Sequence, residues 1–131
     1  MMTSVPDVLS SKPVALIVDD DPAVRNSLRF SLEIEGLAVR TFSNADELLE
    51  ESAFPVFGCL ILDHRLPGLS GLQLLAELRR RGVRLPAIVI TTNPTNTIRK
   101  DVQAADAILI EKPLLSEALY DAIQEALKKT S

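Results

Sequence analysis

With 131 residues, 47% of them apolar and 24% charged, the chain has the length of one domain and the balance of a globular one. A net charge of −4 argues against a primary nucleic-acid surface, which needs a basic face to meet phosphate. A lone cysteine, Cys59, excludes an internal disulfide and suits a reducing cytoplasm, and no run nears the roughly 18 apolar residues of a membrane span.

Residues 1–12, MMTSVPDVLSSK, lack the charged start and apolar stretch of a secretory signal. They read as a flexible lead before a domain over 13–131. VALIV (14–18) predicts a first strand, and Asp19-Asp20-Asp21 follow it. Pro22 opens a helix over 22–35, with Val24, Leu28 and Leu32 on one stripe and Gly36 as its stop. AVRTF (38–42) alternates more and suits an edge strand. Asn44 caps a helix over 44–52. FGCLIL (57–62) predicts a third strand running into Asp63, and Leu66-Pro67-Gly68 then turns the chain. Ser70 caps a helix over 70–81 that Gly82 ends. AIVIT (87–91) predicts the fourth strand, 95–104 a short polar helix, and AILI (107–110) the fifth strand. The last helix, 116–129, sets Leu119, Ile123 and Leu127 at four-residue steps, with Ser116 as cap and Lys128 and Lys129 at the dipole's negative end. The chain stops at KKTS, so no output domain is expected after it.

Five βα units in succession predict a parallel sheet with helices on both faces. The pattern alone leaves the strand order open. A doubly wound order of 2-1-3-4-5 puts the alternating second strand at an edge. It also sets the ends of strands one and three side by side, at the switch point where such folds bind ligands.

In a parallel sheet the residues after each strand share one rim. Here they are Asp19-Asp20-Asp21, Asp63, Thr91-Thr92 and Glu111-Lys112-Pro113. Two carboxylates about 4 Å apart repel by roughly 4 kcal/mol at an effective dielectric near 20. Such a group stays ionised only with cations among it. Lys112 supplies one charge, and oxygen-only ligands point to Mg²⁺ for the rest. The set suits phosphoryl transfer, with Asp63 attacking phosphorus to form an acyl phosphate. Asp20 and Asp63, helped by Asp19, hold the Mg²⁺, and Lys112 and the Thr91 hydroxyl hold the other phosphoryl oxygens. No nucleotide-binding glycine motif is present, so the donor is a protein or a small phosphodonor. Plainer readings stand beside these. Asp63 suits a turn acid, Asp21 a helix cap, Thr91 a strand-end hydroxyl and Lys112 a surface lysine. His64 reads as a loop side chain, Cys59 as core and Arg65 as a rim residue.

IVDDDPAVR (17–25), LILDHRLPGLSG (60–71), LPAIVITT (85–92) and IEKPL (110–114) fall at successive strand ends. In these motifs, and over about residues 12–129, the chain resembles the receiver domain of two-component response regulators. The wording IVDDDPAVRNSLR and LPGLSG is most similar to receivers joined to a LuxR-type helix-turn-helix. The resemblance implies a flavodoxin-like α/β fold with a five-stranded (βα)5 sheet. It implies Asp63 as phosphoacceptor, Asp19 and Asp20 as the acidic pair for Mg²⁺, and the main-chain carbonyl of Arg65 as a further ligand. Thr91 is then the switch hydroxyl and Lys112 the active-site lysine, with Pro113 in a cis bond. The implied partners are a histidine kinase or histidine phosphotransfer protein and a downstream protein. A homodimer through the fourth helix, fifth strand and fifth helix is a further expectation; direct nucleic-acid binding is not. Such a protein is no enzyme beyond its own phosphorylation and dephosphorylation.

Four features depart from the pattern. Leu109 stands where many receivers carry Tyr or Phe, and Thr92 where Ala or Gly is usual. Ala105-Asp106 replaces Gly-Ala. TNPTNTIRK (92–100) is unlike the usual stretch, which predicts a displaced or mobile fourth helix. These departures motivate a second reading, a degenerate receiver that binds partners without phosphorylation. A third, a Mg²⁺-dependent phosphatase for outside substrates, lacks the second acid it needs where Arg65 stands.

Overall fold

Successive strand side chains point to opposite faces, so a wholly apolar strand needs cover on both. The computed structural model, which describes residues 12–112 and 116–128, meets that need with two helical layers. The strands are β1 (Val14–Val18), β2 (Ala38–Phe42), β3 (Gly58–Asp63), β4 (Ala87–Thr91) and β5 (Ile108–Glu111). The helices are α1 (Pro22–Ile34), α2 (Ala45–Leu49), α3 (Gly71–Arg80), α4 (Asn96–Ala104) and α5 (Ser116–Lys128). All strand pairs are parallel, in the order β2-β1-β3-β4-β5. This is the doubly wound, flavodoxin-like order.

The alternation divides the core in two. Ala15, Ile17, Cys59, Ile61, Ile88 and Ile90 meet Leu28 and Leu32 of α1 and Leu119, Ile123 and Leu127 of α5. Leu16, Val18, Leu60 and Leu62 meet Leu48 of α2 and Leu74, Leu75 and Leu78 of α3 on the other face. The central strands β1, β3 and β4 are buried almost throughout, whereas β5 is half-exposed at its edge. Val102 anchors α4, which packs beside β5.

Side chains satisfy the orphan amides at the helix starts. Asp21 accepts from the Ala23 N–H at 2.9 Å and Asn44 from the Glu47 N–H at 2.9 Å. Ser70 and Gln73 form a reciprocal capping box, and Thr95 accepts from the Ile98 N–H. Ser116 is the first residue of α5, not its cap, and its side chain, Pro113 and Lys129 lie outside the described residues.

Several boundaries differ from the sequence reading. β3 and β5 each start and end one residue later, so Asp63 and Glu111 are themselves strand residues. α2 stops at Leu49 because Glu50, Glu51 and Ser52 give it no further apolar face. α4 ends at Ala104, where the sequence reading puts it, and Asp106 just beyond lies at φ +56°, where glycines follow α1 and α3 (Gly36 +95°, Gly82 +89°). Aspartate is one of the few non-glycine residues that visits this region readily.

Gly71 ties α3 to the end of β3. Its N–H donates to the His64 carbonyl at 2.9 Å, and a Cβ added to it would lie 2.5 Å from the Asp63 carbonyl oxygen. Alanine normally gains about 1 kcal/mol over glycine in a helix. Here the overlap is with backbone and reverses the sign. Gly71→Ala is expected to lose about 1–3 kcal/mol, read as a lower urea midpoint with an unchanged slope.

Candidate functional site

β1 and β3 are neighbours, with Val18 opposite Leu62, so the residues that follow emerge together. Asp19 stays fastened to the sheet through its N–H, which donates to the Phe42 carbonyl at 3.2 Å. Asp63 is the last residue of β3. Both are buried, at 2% and 6% exposure, while Asp20 is exposed. One carboxylate oxygen from each of Asp19, Asp20 and Asp63 lies within 4.8 Å of the others. Among the described residues they form the one cluster of such side chains close enough to hold a metal ion.

Lys112 is the cation among them. Its Nζ lies 3.5 Å from Asp63 Oδ2 and 3.7 Å from Asp19 Oδ2. Its own N–H donates to the Thr91 carbonyl at 2.8 Å, which fixes it to the end of β4. One positive charge faces three negative ones. Asp19 shows the shortfall. Its Oδ1 accepts from the Asp21 N–H at 2.9 Å, but its buried Oδ2 accepts no hydrogen bond. Burial holds the Asp19 carboxyl above its ordinary value, and repulsion from Asp63 and Asp20 adds to this. The Asp21 N–H and Lys112 oppose the rise without cancelling it.

These donors fit a hard divalent cation. All are oxygens, one is buried without a donor, and the net charge is too negative for Lys112 alone. An acidic pocket of this kind, in this fold, is consistent with Mg²⁺.

The other expected residues surround the acids. Thr91 ends β4, one step beyond Ile90, the register partner of Asp63. It is 2% exposed, and its hydroxyl makes a long 3.4 Å contact to the Thr92 carbonyl, so the oxygen is weakly engaged. The Arg65 N–H donates to Asp63 Oδ1 at 3.3 Å, folding the turn back onto the carboxylate, while its side chain is exposed. Thr92 is exposed on the rim. Leu109 is half-buried on β5, opposite Val89. His64 has a buried Nδ1 without a hydrogen-bond partner, which suits a packed loop side chain. Cys59 is fully buried, and burial pushes its thiol up to about 12.

Two residues gained no role from the sequence. Gly71 lies against the Asp63 carbonyl. Arg25 donates from Nη1 to the Asp19 carbonyl at 2.7 Å. Its place four residues after Asp21 was legible, but nothing in the pattern says that its side chain turns back.

The family described as response regulator receiver domain matches residues 15–124. The chain belongs to that family. Receivers are the phosphoacceptors of two-component signalling, and act as signalling proteins, not as conventional enzymes. This receiver is 38% identical to the transcriptional regulatory protein FixJ of Azorhizobium caulinodans, over 88% of this chain and 55% of that protein. It is 36% identical to the response regulator protein TodT of Pseudomonas putida, over 88% of this chain and 51% of that protein. The C4-dicarboxylate transport transcriptional regulatory protein DctD of Pseudomonas aeruginosa is 34% identical over 86% of this chain, which is 25% of that protein. The chain thus spans about half the length, or less, of these relatives. The response regulator StyR superposes with TM-score 0.82 at 36% identity, over 92% of this chain and 61% of that one. A CheY-like receiver from Methanospirillum hungatei does so at 0.82 and 29%, over 92% and 97%. Among the described residues no helix is long and apolar enough to cross a membrane.

The raised Asp19 pKa sets a pH dependence. Folding favours the protonated acid, so this contribution is fully present below the ordinary carboxylate value of about 4. It is lost as pH rises through the higher folded value. Asp19→Asn is therefore expected to raise the urea midpoint at pH 7 in chelator. The gain should shrink as the pH falls toward about 4.

Proposed function

We propose that this receiver accepts a phosphoryl group on Asp63 from a histidine kinase or a histidine phosphotransfer protein. The observation that carries the reading is the placement of Lys112 Nζ against Asp63 Oδ2, beside a second buried acid with an unengaged oxygen. An Asp63 carboxylate oxygen forms a bond to phosphorus as the donor's nitrogen–phosphorus bond breaks, and the imidazole leaves with that electron pair. Lys112 and the Thr91 hydroxyl hold phosphoryl oxygens. Asp19, Asp20, Asp63 and the Arg65 carbonyl hold Mg²⁺, which supplies positive charge against the phosphoryl oxygens. Hydrolysis then returns the Asp63 carboxylate. The chain catalyses nothing beyond this cycle on itself.

Phosphorylation shifts the population between two conformations and alters a face built from α4, β5 and α5. That face is our candidate surface for a downstream protein or for a second copy. The half-exposed edge strand β5 and the exposed Arg99–Glu111 pair at 3.6 Å, which joins α4 to β5, support it. We read residues 1–12 as a lead and 13–131 as the receiver, in the cytoplasm and without direct nucleic-acid contact. The subclass we favour is that of receivers joined to a LuxR-type helix-turn-helix. The IVDDDPAVRNSLR and LPGLSG wording supports this, while the relatives FixJ, TodT and DctD are not specifically of that type.

A degenerate receiver, acting without phosphorylation, is the competing reading. Exposed Thr92 and half-buried Leu109 favour it. Acetyl phosphate with Mg²⁺ separates the two. Wild type is expected to gain the mass of one phosphoryl group, chelator to abolish the gain, and Asp63→Asn to show none. Lys112→Met should label on the order of 10²-fold more slowly, as when one preorganised electrostatic contact is lost. If wild type labels with neither acetyl phosphate nor a cognate kinase, the degenerate reading stands.

A further inference from the structure

We propose that Arg25 is a positioning residue for the acid site: it fixes the carbonyls of Asp19 and Asp21, the residues on either side of Asp20, and so aims the carboxylates at a shared cation. The proposal rests on the Mg²⁺ reading above.

Only three residues, all acids, join β1 to Pro22. Proline offers no N–H to brace the loop from within. The bracing comes from one turn further on. The Arg25 N–H donates to the Asp21 carbonyl at 3.0 Å, the first helical bond of α1. The Arg25 Nη1 donates to the Asp19 carbonyl at 2.7 Å. Both carbonyls that flank Asp20 therefore end on a single residue. The loop's other polar groups tighten the same frame. The Asp21 N–H is held by Asp19 Oδ1 at 2.9 Å and the Asp19 N–H by the Phe42 carbonyl at 3.2 Å. Asp20 is exposed and has no wall of its own, so its direction depends on these peptides.

Glu47 adds a weak through-space attraction to Arg25, and the Glu47 carboxylate is fixed by the Ser43 N–H at 2.7 Å and the Ser43 hydroxyl at 2.8 Å. The guanidinium is planar and always charged, so it gives a fixed direction that a flexible ammonium lacks.

A plain counter-charge role predicts the opposite sign. An arginine beside three acids repels a divalent cation, and deleting it would then tighten Mg²⁺ binding. A positioning role predicts weaker binding, because groups that orient metal ligands typically contribute 10–100-fold to affinity. Arg29, one turn on, serves as control. It donates to Thr41 Oγ1 at 3.1 Å and pairs with Glu33 at 3.8 Å, away from the acid loop.

The test is calorimetric titration of the full chain with MgCl₂ alone, for wild type, Arg25→Met and Arg29→Met. Arg25→Met is expected to bind at least about 10-fold more weakly, with Arg29→Met close to wild type. Unchanged or tighter binding by Arg25→Met overturns the proposal, as does an equal loss in Arg29→Met. Melting in chelator shows that each variant is folded. If Arg25→Met does not fold, Arg25→Gln, too short to reach the Asp19 carbonyl, is judged by the same outcomes. A wild type that binds no Mg²⁺ removes the Mg²⁺ reading itself, and the proposal with it.

Discussion

Two buried carboxylates from adjacent strands, Asp19 and Asp63, are the constraint on which this site depends. At separations up to 4.8 Å they repel by roughly 3–4 kcal/mol at an effective dielectric near 20. A fold would discard such a pair unless something else held it. Two apolar cores on the faces of the sheet hold it, because β1 and β3 cannot move apart without opening both layers. The repulsion is thus stored by packing and made available to whatever brings positive charge.

Lys112 offsets part of that charge without removing the demand. Anchored through its own N–H to Thr91, it reaches both acids at distances longer than a strong charge-assisted bond. An ammonium that closed on Asp63 would neutralise the nucleophile. One held 3.5 Å away leaves a carboxylate free to react and a cation placed beside it. The weakly engaged Thr91 hydroxyl follows the same logic. The site's polar atoms are under-satisfied where a phosphoryl group and a metal ion would satisfy them.

Much of this was legible in the residues. Burial of β1, β3 and β4 on both faces follows from VALIV, GCLIL and AIVI being wholly apolar, and Pro22, Asn44 and Ser70 mark helix starts by local chemistry. Boundaries were less legible where that chemistry is weak. α2 ends early because its next turn has no apolar side to bury. The end of α4 was legible at residue 104, although Asp106 beyond it holds a left-handed position usually given to glycine. The Arg25 clamp was hidden because a long side chain's direction is set by what it finds in three dimensions. The close approach of Gly71 to Asp63 was hidden because it depends on how α3 leaves the turn.

The amino-acid sequence by itself determined the elements, the parallel sheet and the list of reactive residues, because propensity, capping and apolar period are local properties. It left the strand order open, and with it the neighbours of each acid. Only the tertiary structure set β1 against β3 and Lys112 against both acids, since contacts between residues 19, 63 and 112 have no local cause. It also decided which oxygen is left without a donor, Asp19 Oδ2, and which side chain braces the loop that carries it. Burial and pairing are properties of the assembled sheet, and the carboxylates' chemistry follows from them.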